Sequence, residues 1–545
     1  MKKLRIGLAA VLSAIVLFTG CSEPSEVTSK NPAATTQEGP VEKAVKPEKP
    51  APLTLEAEAV MDPSVAAEDI GDPYTEINKY IMNIDKPNRD LYNTLFYAVN
   101  EMKPSLDISA YNLSYKEKND TAGCLYSEKN YRFYYLNNVK VSKDGKTAIF
   151  TYTGKADEIR RNKENFYARL SHLLYNVAPE DYTELQKFMA VYEYVCETSN
   201  YSPKPSDFDT MTPYSILARG EGICWGYANL MEYTLNKLGI NTDFVKTQAH
   251  AWDIVKLGGK LYNTDVTWGA GNSGTTWNDL TYVLMDDKTR LKTLKDSGID
   301  TSEIILGYPK DKPDKPPACT DKAFSEYFKV GNSYALDIDN SKVYFSGDNG
   351  IEGMNLDCTG RTTIAKEIYP SRMYFFNGAL YFINSVDEFL YRMIPGQKPE
   401  LMEGKEPLLY LELSGTLLYY GKDADGKGKK SISLLPFDPA QFKGEDAISL
   451  PEASVPRTRS FSLRIKFSSP VEAPQNWNDD IYLADEKGNA IPLHFELGSD
   501  GKTLTLRPKY CLADSGSVSL YIKQGVASQN GQQLTSPYNM NITIH

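Results

Sequence analysis

Apolar residues recur along this chain with three different spacings, and each predicts a different kind of element. In the middle of the chain they fall three and four apart. Leu185, Phe188, Tyr192 and Val195 mark one helix, with Cys196 beside its apolar stripe as a packing residue. Tyr227, Leu230, Met231, Thr234, Leu235 and Leu238 mark a second, buried helix that Gly239 should end. Toward the C-terminus the spacing drops to two: Phe461, Leu463, Ile465 and Phe467 alternate with Ser462, Arg464 and Lys466. Similar runs follow at Ile491, Leu493 and Phe495, at Leu504 and Leu506, and at Val518, Leu520 and Ile522, so residues 456–545 read as an antiparallel β-sandwich. The third spacing is long. Val343-Tyr344-Phe345, Leu380-Tyr381-Phe382 and Leu418-Tyr419-Tyr420 lie 37 and then 38 residues apart, which predicts one short β-meander per repeat across residues 319–455.

Residues 73–180 mix helical and strand patterns, with an aromatic stretch at 131–136, a turn at Asp144-Gly145 and a strand at 147–152. They form an α/β lead-in to a core at 181–287, within a domain running from 73 to 307. Residues 308–317, YPKDKPDKPP, deny the chain both helix and sheet ladder, so 308–318 is a linker. From residue 21 to 72 the chain is rich in Pro, Glu, Lys, Ala, Ser and Thr and poor in aromatics, which predicts a disordered stalk.

Composition narrows the class. A chain of 545 residues exceeds one compact core and must be multidomain. Residues 1–20 carry Lys2, Lys3 and Arg5, then an apolar run at 6–18 too short to span a bilayer, then Thr19-Gly20 before Cys21, which reads as a secretory signal. The formal charge is −11, and −14 once those three cations leave with the signal. Such acidity argues against nucleic acid or an anionic lipid surface as a partner. Six further cysteines show no CxxC pair and no metal-ligand spacing, and EF-hand, HExxH, GxSxG and phosphate-loop patterns are absent, so neither metal nor cofactor is expected.

One stretch carries chemistry. In EGICWGYANL, Gly220 and Gly222 break structure just before Cys224, which therefore opens the buried helix. There a thiol meets unpaired backbone N–H groups and the positive end of the helix dipole, and both favour thiolate. Downstream, QAHAWDIVKL and KLYNTD flank Gly258-Gly259 as a tight hairpin. With Leu257 facing Lys260, Trp252 falls opposite Asp265 and His250 opposite Thr267. His250 and Asp265 then share a face as diagonal neighbours, roughly 7 Å apart at the backbone, while Asp253 points to the other. A carboxylate beside an imidazole beside a thiolate is the arrangement for nucleophilic acyl transfer. Trp225, Trp252 and Trp268 cluster around these positions as cleft walls or as core, and Tyr214 is a guess for a second oxyanion donor beside the Cys224 N–H.

GICWGYA followed by QAHAWDIVKLGGKLYNTDVTWG resembles the transglutaminase-like superfamily, with its papain-type Cys/His/Asp core, over about 110 residues. The resemblance implies an α+β core in which Cys224, His250 and Asp265 are catalytic. It also implies an acyl-enzyme thioester, formed on protein or peptide substrates and resolved by an amine or by water. LFTGC at 17–21 resembles a bacterial lipobox, implying acylation of Cys21 and a lipid-anchored, extracytoplasmic location. The tyrosine-rich repeats resemble propeller-like repeats of bacterial surface proteins. Three copies are fewer than the roughly four blades a closed ring needs, so an open array is expected. Residues 456–545 resemble the Ig-like domains of bacterial surface proteins. The resulting expectation is a surface thiol enzyme that cross-links or cleaves proteins. The alternatives are a non-catalytic surface-binding or scaffold lipoprotein and a structural lipoprotein of the envelope.

Overall fold

The structure, a computed structural model, describes residues 51–76, 87–127, 132–202, 208–271, 278–306, 315–442, 446–474 and 476–545. The expected signal, Cys21 and the first part of the stalk lie outside the described residues, as does most of the proline-rich linker. None of the described helices is long and apolar enough to cross a membrane.

The lead-in pairs helices Arg89–Asn100 and Tyr115–Ser127 with a small sheet in the order Ser105–Asp107, Thr147–Tyr152, Leu136–Val141. Helix Glu184–Thr198 starts from a capping box between Thr183 and Gln186, and buries Phe188, Tyr192, Val195 and Cys196 as the spacing predicts. Burial pushes the Cys196 thiol well up, which suits packing. Helix Cys224–Lys237 follows and is packed on a sheet ordered Ile305–Leu306, Thr242–Lys246, Ala251–Leu257, Lys260–Thr264. Gly258 and Gly259, with φ of 55° and 79°, make the two-residue turn, so Leu257 pairs with Lys260 as the hairpin parity requires.

Each tyrosine-rich repeat occupies the second strand of its own meander: Lys342–Gly347, Ala379–Asn384 and Leu417–Gly421 sit in successive sheets of four, four and three strands. The first of these sheets is not a separate body. Tyr334, Val343, Phe345 and Met354 join the same hydrophobic cluster as Tyr192, Tyr227 and Leu230. Tyr334 Oη donates to Glu193, and Gln186 Nε2 donates to the Ile338 carbonyl, both across that seam. The expected boundary at 308–318 therefore divides the sequence without dividing the core: the first meander covers one face with the main core and the other, through Tyr344 and Ile351, with the second meander.

The stalk expectation needs a larger correction. Leu55–Met61 is a strand, paired antiparallel along its whole length with Phe461–Phe467 in a sheet ordered Leu55–Met61, Phe461–Phe467, Thr503–Pro508, Leu493–Leu497. Leu53 and Leu55 are buried in the sandwich core. Low aromatic content hid this strand, since Leu55, Ala57 and Ala59 alternate with Glu56 and Glu58 but are too small to advertise a buried face. The sandwich also begins before residue 456: Ile448–Ser449 and Ala453–Val455 run parallel to Tyr538–Ile544. Removing residues up to 62, harmless were they stalk, is expected to lower unfolding free energy by at least about 3 kcal/mol from the two leucines alone. Urea titration of the truncated and full chains measures it, and an unchanged midpoint would contradict the role of this strand.

Candidate functional site

Cys224 is the first residue of its helix. The N-cap, Ile223, offers no side chain to the helix end, so the first backbone N–H groups are left for another partner. Thr210 fixes this turn by accepting from Ile223 N at 3.0 Å. A Cβ on Gly226 would stand 2.7 Å from that same Thr210 carbonyl oxygen. Glycine is thus needed two residues past the thiol for close approach of two backbones. Gly226→Ala is expected to cost about 1 to 3 kcal/mol of stability and to displace Cys224, read as a lower melting temperature with slower thiol labelling.

His250 and Asp265 both lie just beyond the ladder of their hairpin, whose last pair is Asp253 with Thr264. The diagonal expected across two strands is replaced by a direct contact: His250 Nε2 is 2.7 Å from Asp265 Oδ2. Thr247 holds the histidine turn, its Oγ1 accepting from His250 N at 3.1 Å, while Asp265 caps helix Val266–Gly269, its Oδ1 accepting from Trp268 N at 3.1 Å. Asp265 is 0 % exposed. Burial alone would raise its carboxyl, but His250, Arg290 and the Trp268 N–H outweigh that and hold it below the usual range. For His250, burial opposes the charged form, yet Asp265 and the hydrogen-bonding Cys224 side chain prevail and push it up to about 9. With Nε2 taken by Asp265, Nδ1 is the ring nitrogen left for the thiol.

The structure thus brings Cys224, His250 and Asp265 together. Trp225 packs in the small cluster around Cys224, edge-on to Phe244 at 5.6 Å and under Lys246 Nζ at 4.7 Å. Trp252 is buried and donates from Nε1 to Asn263 Oδ1 at 2.9 Å, so it serves as packing behind the histidine. Tyr214 is placed in the main core, its ring stacked on Tyr134 at 3.7 Å, which speaks against its guessed role as an oxyanion donor. Among the described residues no group of three or more His, Cys, Asp or Glu side chains is placed to hold a metal ion.

Sequence reasoning missed Arg290. It is 1 % exposed, with Nη2 2.8 Å from Asp265 Oδ2. The available signal was its place with Thr293 and Leu294 on the buried stripe of helix Asp287–Asp296, where an arginine is out of keeping unless paired.

Asp253 gives the contrast. Equally buried, it has no hydrogen-bond partner for either oxygen among the described residues, and burial first, then Glu232, Asp265 and Asp243, push its carboxyl far up. A raised carboxyl holds a proton that the unfolded chain releases. Its contribution is therefore present below about pH 3.9 and lost as pH rises through the folded value. Asp253→Asn is expected to stabilise the protein progressively more as pH rises above about 4, read from denaturation midpoints at pH 5 and pH 8. An equal midpoint change at both would contradict the protonated carboxyl.

Residues 171–278 match the model of the transglutaminase-like superfamily, and residues 449–543 match that of a bacterial Ig-like domain. The protein is thus a multidomain chain with a helix-and-strand transglutaminase-like core, separate β-sheets and an Ig-like sandwich. Kyphoscoliosis peptidase from Mus musculus and that from Homo sapiens are each 25% identical to it over 133 residues, 21% of this chain and 20% of theirs. The chain thus aligns with about a fifth of the length of these relatives. Among solved structures, a transglutaminase is 15% identical, covering 24% of this chain and 43% of its own at a TM-score of 0.16. An arylamine N-acetyltransferase from Bacillus cereus is 11% identical, covering 44% and 92% at a TM-score of 0.17. Scores this low carry no argument.

Proposed function

We propose that this protein is an extracytoplasmic thiol enzyme that transfers acyl groups from protein or peptide substrates through a thioester on Cys224. The observation that carries the reading is the buried His250–Asp265 pair, 2.7 Å between Nε2 and Oδ2, facing a cysteine at an uncapped helix start. In the proposed cycle the Cys224 thiolate attacks a carboxamide or peptide carbonyl. The Cys224 N–H, which has no helical carbonyl to bond, donates to the resulting oxyanion. His250 gives its proton to the leaving nitrogen, and the C–N bond breaks to leave the thioester. Water or an amine then attacks, His250 takes the incoming proton, and the thiolate departs. Asp265 keeps the imidazole in one orientation throughout. A lipid on Cys21 would hold the enzyme at a bacterial membrane, a proposal supported by the LFTGC motif and by the likeness to bacterial Ig-like domains.

With its value pushed up to about 9 by Asp265 and Cys224 against burial, His250 sets a positive charge beside the Cys224 sulfur. Iodoacetamide is expected to label Cys224 well below the free-thiol value of about 8.5, and His250→Ala to slow labelling about tenfold or more. Adducts are mapped by mass spectrometry. Cys224→Ala should also abolish ammonia release from glutamine peptides or their cleavage. A Cys224 that labels only as a free thiol would, or that is disulfide-bonded, removes the enzymatic reading.

A further inference from the structure

Arg290 lies outside the matched family segment, which ends at residue 278, and the acyl-transfer cycle above makes no use of it. Its guanidinium carbon stands 4.3 Å from the Trp252 ring centroid and 4.7 Å from that of Trp268, while Nη2 meets Asp265 Oδ2 at 2.8 Å. The same carboxylate oxygen receives His250 Nε2, and the imidazole stacks on Trp268 at 4.7 Å and 17°. One arginine therefore touches both the carboxylate that orients the histidine and the indole on which the histidine lies. Its own helix is tied to the same strands: Trp252 Nε1 donates to Asn263 Oδ1, and Asn263 Nδ2 donates to Asp287 Oδ1, each at 2.9 Å.

The charges give this placement a purpose. A Cys224 thiolate, a His250 imidazolium and an Asp265 carboxylate sum to one net negative charge in a buried site. The other titratable groups facing Asp265 are Tyr192, Cys196, Tyr282 and Asp253, with Tyr201 facing Cys224, and burial raises each of them, against its charged form. Arg290 brings the sum to zero. Without it, the site would hold an uncompensated buried charge, which is costly.

We propose that Arg290 is a positioning residue of this site, neutralising the buried thiolate, imidazolium and carboxylate through Asp265 and fixing the imidazole plane through Trp268, without touching substrate. The proposal rests on the reading of Cys224, His250 and Asp265 as the reacting triad. It is tested on the full chain by the iodoacetamide labelling rate of Cys224 against pH, together with thermal melting, for wild type, Arg290→Met and Arg290→Lys. Arg290→Met is expected to move the half-point of the rate profile upward and to slow labelling at pH 6 about tenfold, with Arg290→Lys restoring most of the wild-type profile. A folded Arg290→Met with the wild-type profile and only a lower melting temperature overturns the proposal and leaves Arg290 as packing. Should Arg290→Met not fold, Arg290→Gln decides by the same measurements: a profile displaced upward supports the charge role, and one at wild type overturns it. Wild-type labelling that ignores His250→Ala instead fails the triad reading itself, and the proposal falls with it.

Discussion

A carboxylate cut off from water must have its charge met by protein atoms, and around Asp265 that requirement organises the whole site. His250 and Arg290 share one of its oxygens, and the Trp268 N–H occupies the other. To supply these partners the hairpin has to end at Thr264, a short helix has to begin at Asp265, and a third element has to bring an arginine from residues 287–296. On the neighbouring strand, Asp253 shows what happens without partners: equal burial pushes its carboxyl well up. Two equally buried carboxylates of one hairpin region are thus shifted in opposite directions, and the difference lies in their hydrogen bonds and ion pairs rather than in their depth.

The nucleophile end follows a different logic. Some helix starts in the chain are capped by side chains, as at Thr183 and Asp286, which accept from backbone N–H groups, while others, such as that at Lys155, are not. At Ile223 no side chain does so, and the turn is held instead by the Thr210 carbonyl packed against Gly226. The first N–H groups of that helix are thus left without a side-chain cap beside Cys224.

The surrounding modules behave as one assembly. Strand Leu55–Met61 completes the sandwich formed by the C-terminal residues, so the two ends of the described chain are stitched together. His494 of that sandwich lies 2.9 Å from Asp339 in the first meander and 3.4 Å from Asp181 in the core, placing one imidazole at the junction of all three. The transglutaminase-like core is therefore clamped on the side of the first meander and of the sandwich, which limits how freely that side can move.

Period and punctuation in the sequence determined the local elements: the helix opening at Cys224, the two-glycine hairpin, the repeat strands and the alternating sandwich. They did so because such patterns depend only on neighbours along the chain. The order Cys224, His250, Asp265 was legible for the same reason, since each sits at the end of an element with a clear start or stop. Arg290 was legible only as a cation out of keeping with the stripe it shares with Thr293 and Leu294, and its role was not, because only the folded chain puts Asp265 beside it. Leu55–Met61 was not, because a strand of small alternating residues is recognisable only by the partner strand four hundred residues away that buries it. Pairing between distant segments, and the partners a buried charge requires, were decided by the tertiary structure alone.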